Sequence, residues 1–449
     1  MMTLKESRTL PQAGQYDVIV VGGGPAGVGA ALAAARSGMK TMVVEQFNCL
    51  GGVATAGGHG HISKYDEEGT GRQIVGGIAD EIASALCKEG FGTRNSHGVW
   101  FEVEGLKLIL DRLAETAGVH LLYHTFFCDT VMDGDNVCGV VIQNKDGRQV
   151  LLGQRVIDCT GDGDVAFHAG CPFEVGRPAD HKCQPVTLMF TIGGVDWPRV
   201  EAWRTSFQMT HIWEDAQRKG DMRAFQKTIM GWWWTPTRPD QVGVNFTHVI
   251  HIDSTRAEDL TRATIEARKQ AYETIAVYRR YVPGMENCHM ISTPNTIGLR
   301  ESRRIMGAYL LTEDDVKQQH EFADNICYGS FYVDIHNIDG PGMDPTVWYP
   351  PQGFKYHIPF RILIPQRANN LLTSGRCVSC THIALGSIRV MVQCIGMGEA
   401  AGTAAALSIR ENIAPASLNT QTLQAQLRKQ GSILNEADIA SNVSNRHQN

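Results

Sequence analysis

The chain has 449 residues, 43% hydrophobic and 20% charged, which is the balance of an ordinary globular protein and excludes a disordered or fibrous one. At this length one simple core does not suffice, and two or three lobes with a cofactor between them are expected. The net charge of −6, without a dense Lys/Arg run, argues against nucleic acid as a partner, and no run of about 18 unbroken apolar residues points to a membrane.

The leader MMTLKESRTLPQAGQ lacks the apolar core of a secretory signal, so a cytoplasmic location is expected. The segment YDVIVVGGGPAGVGAALAAARSGMKTMVVEQ then reads as strand, Gly-rich turn, helix and second strand, one βαβ unit. The first strand is Asp17 to Val21, with the continuous apolar run Val18 to Val21 that a central parallel strand requires, and the Ala-rich helix stops near Gly38. Leu106, Ile109, Leu110 and Leu113 recur at helical spacing up to Ala117. Short strands VHLLY, VCGVVI and RQVLL, the last two around the turn NKDGR, predict a small meander, and RVIDC leads back to the parallel sheet near residue 156. Between about 171 and 354 the character changes: GWWWTPTRPDQ precedes a long helix from about Arg256 to Tyr281, ended by Pro283. Three consecutive tryptophans, Trp232 to Trp234, cannot share one face, so at least one is expected in the core. FRILI and NLLTSGR then read as strands, GMGEAAGTAAALSI as a helix, and the Gln- and Asn-rich tail as a frayed end.

The fold class is therefore α/β: a Rossmann-like domain, βαβ with a β-meander, and an inserted α+β substrate domain. The boundaries expected are 1–170 and 355–449 for the two parts of the cofactor domain and 171–354 for the insertion. Gly22, Gly24 and Gly27 form GxGxxG between strand and helix, with Pro25 and Ala26 inside the motif. The first glycine permits the tight turn, the second lets backbone NH groups approach a pyrophosphate, and the third allows close helix packing. Glu45, about twenty residues on, can accept hydrogen bonds from a ribose diol and repels the extra phosphate of NADP. After Glu45 and Gln46 the chain continues as a Gly-rich loop through Gly51 and Gly52, as a cofactor longer than the first βαβ unit requires. FAD is the better reading over NAD.

The stretches VVGGGPAGVGAALAAARSG, VIDCTGDGDVAFHAG, IGLRESRRIMGAYLLTEDDV, VDIHNIDG and NLLTSGRCVSCTHIALGSIRVMVQCIGMGEAAGTAAA resemble the FAD-dependent oxidoreductase family related to the flavoprotein subunits of fumarate reductase and succinate dehydrogenase. The resemblance runs from residue 17 to about 430. It implies an FAD domain built from both chain ends, with Thr160, Gly161 and Asp162 near the cofactor. It also implies contacts from Gly375 and Arg376, and a helix near Gly396, carrying Gly398 and Ala400, whose N-terminus points at the flavin. On this reading an arginine among Arg300, Arg303 and Arg389 clamps a substrate anion, and His382 exchanges a proton while the flavin exchanges a hydride. His357 is a weaker candidate for the same task. His59 and His61 lie where some relatives tether FAD, although their motif is not reproduced here. Cys377 and Cys380 are read as small buried residues in preference to a redox or zinc pair, since no further ligands stand at zinc spacing. The expected activity is oxidation or reduction of a small polar substrate, with electrons passed to a separate acceptor because no second GxGxxG is present. A flavin-dependent lyase or isomerase and a non-catalytic subunit of a complex are the alternatives. A homo-oligomer is the prior expectation.

Overall fold

The computed structural model describes residues 7–204, 209–227 and 231–439; the expected frayed tail lies from residue 440 on, outside the described residues. Its central sheet has seven strands. Gln12–Val21 pairs in parallel with Thr41–Val44 on one side and with Gly147–Asp158 on the other. Val18 to Val21 are almost fully buried, as the apolar run predicts. The strand begins five residues earlier than its hydrophobicity suggests, because polar, mostly exposed Gln12 to Tyr16 pair with Val150 to Gly153 and need no core face.

The meander is Phe126–Asp133, Asn136–Asn144 and Gly147–Asp158. RQVLL and RVIDC, read as two strands, are one twelve-residue strand. Its first half pairs antiparallel with Asn136–Asn144, and its end pairs in parallel with Leu371–Thr373. That last strand brings the C-terminal part of the chain back to the first sheet. FRILI is not a strand: Phe360–Leu363 is a short 3-10 turn. Asp324 opposes a strand here, taking the Phe360 NH on its backbone carbonyl at 2.8 Å and the Arg361 NH on its carboxylate at 3.2 Å, so these backbone donors are unavailable to a ladder.

The helix Pro25–Arg36 packs along Met391–Arg410 with almost no room between them. A Cβ on Gly398 would stand 2.0 Å from the Ala26 carbonyl oxygen, and one on Gly402 would stand 2.1 Å from that of Ala30. Gly402→Ala is therefore expected to destabilise the protein by about 1–3 kcal/mol through overpacking, read as a lower denaturant midpoint at unchanged slope.

The middle of the chain builds an antiparallel sheet in the order Trp232–Thr235, Arg238–Val244, Phe190–Gly193, His289–Ser292. The long helix Ala257–Tyr281 covers it, with Ala271, Ile275 and Tyr278 in one core with Ile192, Val242 and Val244. Trp232 is the core member of the tryptophan run and donates to the Tyr278 hydroxyl at 2.7 Å. Trp233 turns the other way and packs on the His59 ring, 4.8 Å between centroids. Cys377 and Cys380 are fully buried, and no group of three His, Cys, Asp or Glu among the described residues is placed to hold a metal.

Candidate active site

One cavity of about 1520 Å³ runs from the Gly-rich turn into the middle of the chain. At its first end Gly22 has φ 95°, and a Cβ there would lie 2.4 Å from the Cys159 carbonyl oxygen, so the turn admits only glycine. A Cβ on Gly24, by contrast, would meet nothing within 4 Å and would project into open space at the start of the helix Pro25–Arg36. The unpaired NH groups of that helix's first turn suit a pyrophosphate. Glu45 is buried, and its carboxylate is aimed by two backbone donors, the Gly23 NH at 2.6 Å and the Phe47 NH at 2.8 Å. Burial, partly opposed by these bonds, raises its pKa. The Ser374 hydroxyl, on the same wall, is buried without a partner.

Of the expected cofactor contacts, Gly22, Gly24, Pro25, Ala26, Glu45, Gln46, Gly52, Gly161, Asp162, Gly375 and Arg376 line this cavity. Arg376 is fixed by Asp162 at 2.7 Å and by the Ser302 hydroxyl at 2.6 Å. Gly27, Gly51, Gly398 and Ala400 stand behind the wall. A Cβ on Gly27 would be 1.8 Å from the Gly22 carbonyl oxygen, which is the packing role expected of it. The Gly51 NH bonds the Gly23 carbonyl at 2.7 Å, bracing the turn. Gly398 packs on the helix Pro25–Arg36 and Ala400 is buried in the core, and neither lines the cavity, which their helix meets nearer its start with Val390, Met391 and Cys394.

At the other end Arg300 and Arg389 enter the cavity wall, while Arg303 and His382 do not. Arg303 bonds Asp164 at 2.8 Å and lies over the Phe167 ring. His382 is buried with Nδ1 at 2.8 and 2.9 Å from the two Glu301 oxygens, and Glu301 also pairs with the buried Arg304. His357 spends Nδ1 on the Phe322 NH in the strand Tyr356–Pro359, also away from the cavity. Asp334 and His336 stand beside the two arginines, His59 feels the Arg300 charge, and Asn245 lines the same cavity. Arg300 bonds the Pro185 carbonyl at 2.7 Å and the Thr187 hydroxyl at 2.6 Å, both from Nη1. Burial first, then Arg389, brings its pKa down to about 10, so it remains a cation at neutral pH. Arg389 holds Asp334 at 2.8 Å through Nη2, while its buried Nε has no partner. Asp334 also stands 3.3 Å from Nε2 of His336. Burial and the neighbouring Arg300 bring the His336 pKa down to about 4, which leaves a neutral ring whose Nδ1 is likewise unpartnered. His59 Nδ1 and Asn245 Oδ1 are two more buried atoms without partners.

Asp334 and His336 carry no assignment in the sequence reading, although VDIH contains the signal. Positions i and i+2 of an extended segment share a side, so an Asp-x-His there sets a carboxylate beside an imidazole.

The fold and the cavity define a dinucleotide-binding α/β enzyme whose cavity is lined at its far end by two arginines. The profile of the FAD dependent oxidoreductase family matches residues 17–427, and the chain belongs to that family. FAD is its cofactor, and the open space at Gly24, the aimed Glu45 carboxylate and the orphaned Ser374 hydroxyl fit that group. Over 159 residues the chain is 31% identical to the thiamine thiazole synthase of Methanococcus vannielii, a stretch of 33% of this chain and 56% of that protein. Over 160 residues it is 32% identical to the Aeropyrum pernix thiamine thiazole synthase, again 33% and 56%. The matched stretch thus spans little more than half the length of these relatives. Among solved structures, a geranylgeranyl bacteriochlorophyll reductase-like protein from Thermoplasma acidophilum aligns over 93% of this chain and 84% of its own, at 14% identity and TM-score 0.47. The flavin-dependent brominase Bmp2 aligns over 92% and 83%, at 12% identity and TM-score 0.45.

Glu45→Ala leaves the Gly23 and Phe47 NH groups unpaired in a buried turn, a cost of about 1–3 kcal/mol. FAD affinity is expected to fall about tenfold or more, measured by the return of free-flavin fluorescence on dilution.

Proposed function

We propose that this flavoenzyme is a dehydrogenase for a small organic acid, with electrons passed on to a separate acceptor. The kinship with fumarate reductase and succinate dehydrogenase flavoprotein subunits, suggested by the LRESRR and THIALGSIR segments, is part of this proposal. The observation that carries it is the set of orphaned buried polar atoms on residues that line the cavity: Arg389 Nε, His336 Nδ1, His59 Nδ1 and Asn245 Oδ1. Buried polar groups without partners are costly, and a cluster of them around a cavity marks where a ligand completes the bonding.

Bound FAD supplies a hydride acceptor at the ring N5. The chain does the rest. Arg389 and Arg300 hold the carboxylate, and Asp334 fixes the guanidinium of Arg389. His336, with Nε2 turned to Asp334, presents the free Nδ1 lone pair as the base for the proton lost from a substrate hydroxyl or amine. A buried wall excludes the water that would compete for both tasks.

The test is anaerobic titration of the yellow holoenzyme with small hydroxy and amino acids alongside the corresponding amides. Loss of the flavin absorption with acids and not with amides is expected. No loss with any acid, or equal loss with the amides, overturns the reading.

A further inference from the structure

We infer that the acid bound by this enzyme carries an aromatic ring, seated on a ledge made by Tyr332 and Tyr349 between the anion clamp and the surface. The inference rests on the carboxylate reading above and extends it to substrate class.

The ledge is a continuous line of contacts. Arg389 holds Asp334 at 2.8 Å, and the Tyr332 hydroxyl donates to Asp334 at 3.3 Å. The Tyr332 ring is stacked on Tyr349, 5.1 Å between centroids and 22° between planes. Along this line the molecule goes from burial to solvent: the Arg389 side chain is 12% exposed and Tyr349 is 66% exposed. From Arg389 outward along this line, a ligand would meet flat aromatic faces. Phe331, 4.5 Å from the Tyr332 ring, extends the same apolar surface, and all three residues line the cavity.

Two physical arguments select a ring over a short aliphatic chain. First, about 1520 Å³ exceeds the roughly 300–1,000 Å³ of a pocket with one occupant, so a bulky second molecule fits beside the cofactor. Second, tyrosine faces reward offset stacking by an aryl group beyond what area burial alone provides. Burial and the adjacent Asp334 raise the Tyr332 pKa, so its phenol stays neutral and does not repel an anion.

The experiment is binding of unreactive acids to the oxidised holoenzyme, followed by perturbation of the flavin absorption band. The probes are 3-phenylpropanoate, its cyclohexyl analogue 3-cyclohexylpropanoate, butanoate and the neutral 3-phenylpropanamide. The aryl acid is expected to bind about five- to tenfold more tightly than the cyclohexyl acid. Tyr349→Ala is expected to abolish that preference and leave butanoate affinity and FAD content unchanged, while Tyr349→Phe keeps it. Equal affinity for the aryl and cyclohexyl acids overturns the inference while the carboxylate reading stands. So does an aryl preference that survives Tyr349→Ala, or one lost along with butanoate affinity or FAD. If the amide binds as well as the acids, or no acid perturbs the flavin, the carboxylate reading itself fails.

Discussion

His336→Ala is expected to slow substrate-dependent flavin reduction by about 10²–10⁴-fold, the usual range for a positioned base, while FAD stays bound. The imidazole makes no hydrogen bond to the Gly-rich turn or to Glu45, so cofactor affinity is not expected to follow it. The pH dependence gives a sharper check. Burial is the main cause of the lowered His336 pKa, about 4, followed by the Arg300 charge; Asp334 acts in the opposite sense, and Arg389 adds to the lowering. His248, 6.0 Å away between ring centroids, faces the same ring and is itself held neutral by burial, its pKa near 3. A base works when deprotonated. The rate of reduction should therefore be level above about pH 5, fall as pH drops through about 4, and show no step near 6.5, where an ordinary histidine titrates. Stopped-flow reduction across this range reads the limb directly. A rate in His336→Ala within a few fold of the parent protein would remove His336 from the chemistry.

The parts of the site legible in the sequence are those whose requirements are local. Gly22 and Gly27 are dictated by atoms within a few residues or on the adjoining strand, and Glu45 by its place at the end of the second strand. The long helix Ala257–Tyr281 is likewise legible, because its apolar positions and terminal proline are signals of one segment. The arginines carry no such local signal. Arg300, Arg303 and Arg304 share one short run, yet one enters the cavity, one pairs with Asp164 and one is sealed beside Glu301. Arg300 and Arg303 are fixed by partners more than a hundred residues away, and the Glu301 that seals Arg304 stands three residues from it but closer still in sequence to the others, so the run alone does not separate these fates. The same holds for His382. Its position ahead of a flavin-facing helix suggests an active-site histidine, but the helix that begins there ends at Ile388, and a second helix, from Met391, makes the cavity wall. FRILI fails as a strand for a related reason: Asp324, distant in sequence, captures the backbone NH groups of Phe360 and Arg361.

The second large effect is expected at Glu301, which holds this arrangement together without entering the cavity. Its carboxylate is fully buried, pairs with Arg304, lies against His382 Nδ1, and accepts the Gln184 NH at 3.0 Å. Gln184 in turn accepts the His336 backbone NH at 3.3 Å through Oε1. Glu301→Ala takes from the Arg304 guanidinium, 1% exposed, its buried carboxylate and leaves it the carbonyls of Gly176 and Cys380 and the half-exposed Glu174 carboxylate at 3.4 Å. Removing one partner of a buried ion pair costs about 3–5 kcal/mol, a large part of the stability of a typical domain, so the variant should unfold at much lower denaturant concentration or fail to accumulate. His382→Ala removes a neighbour and leaves the Glu301–Arg304 pair in place, so a smaller loss of stability is expected, with flavin reduction by substrate close to that of the parent. This pair of variants separates the two roles open to His382. Were His382→Ala to keep its denaturant midpoint and lose reduction by two orders of magnitude, the proton transfer would belong to His382 and not to His336; loss of midpoint with retained reduction fixes it as a member of the buried cluster behind the wall.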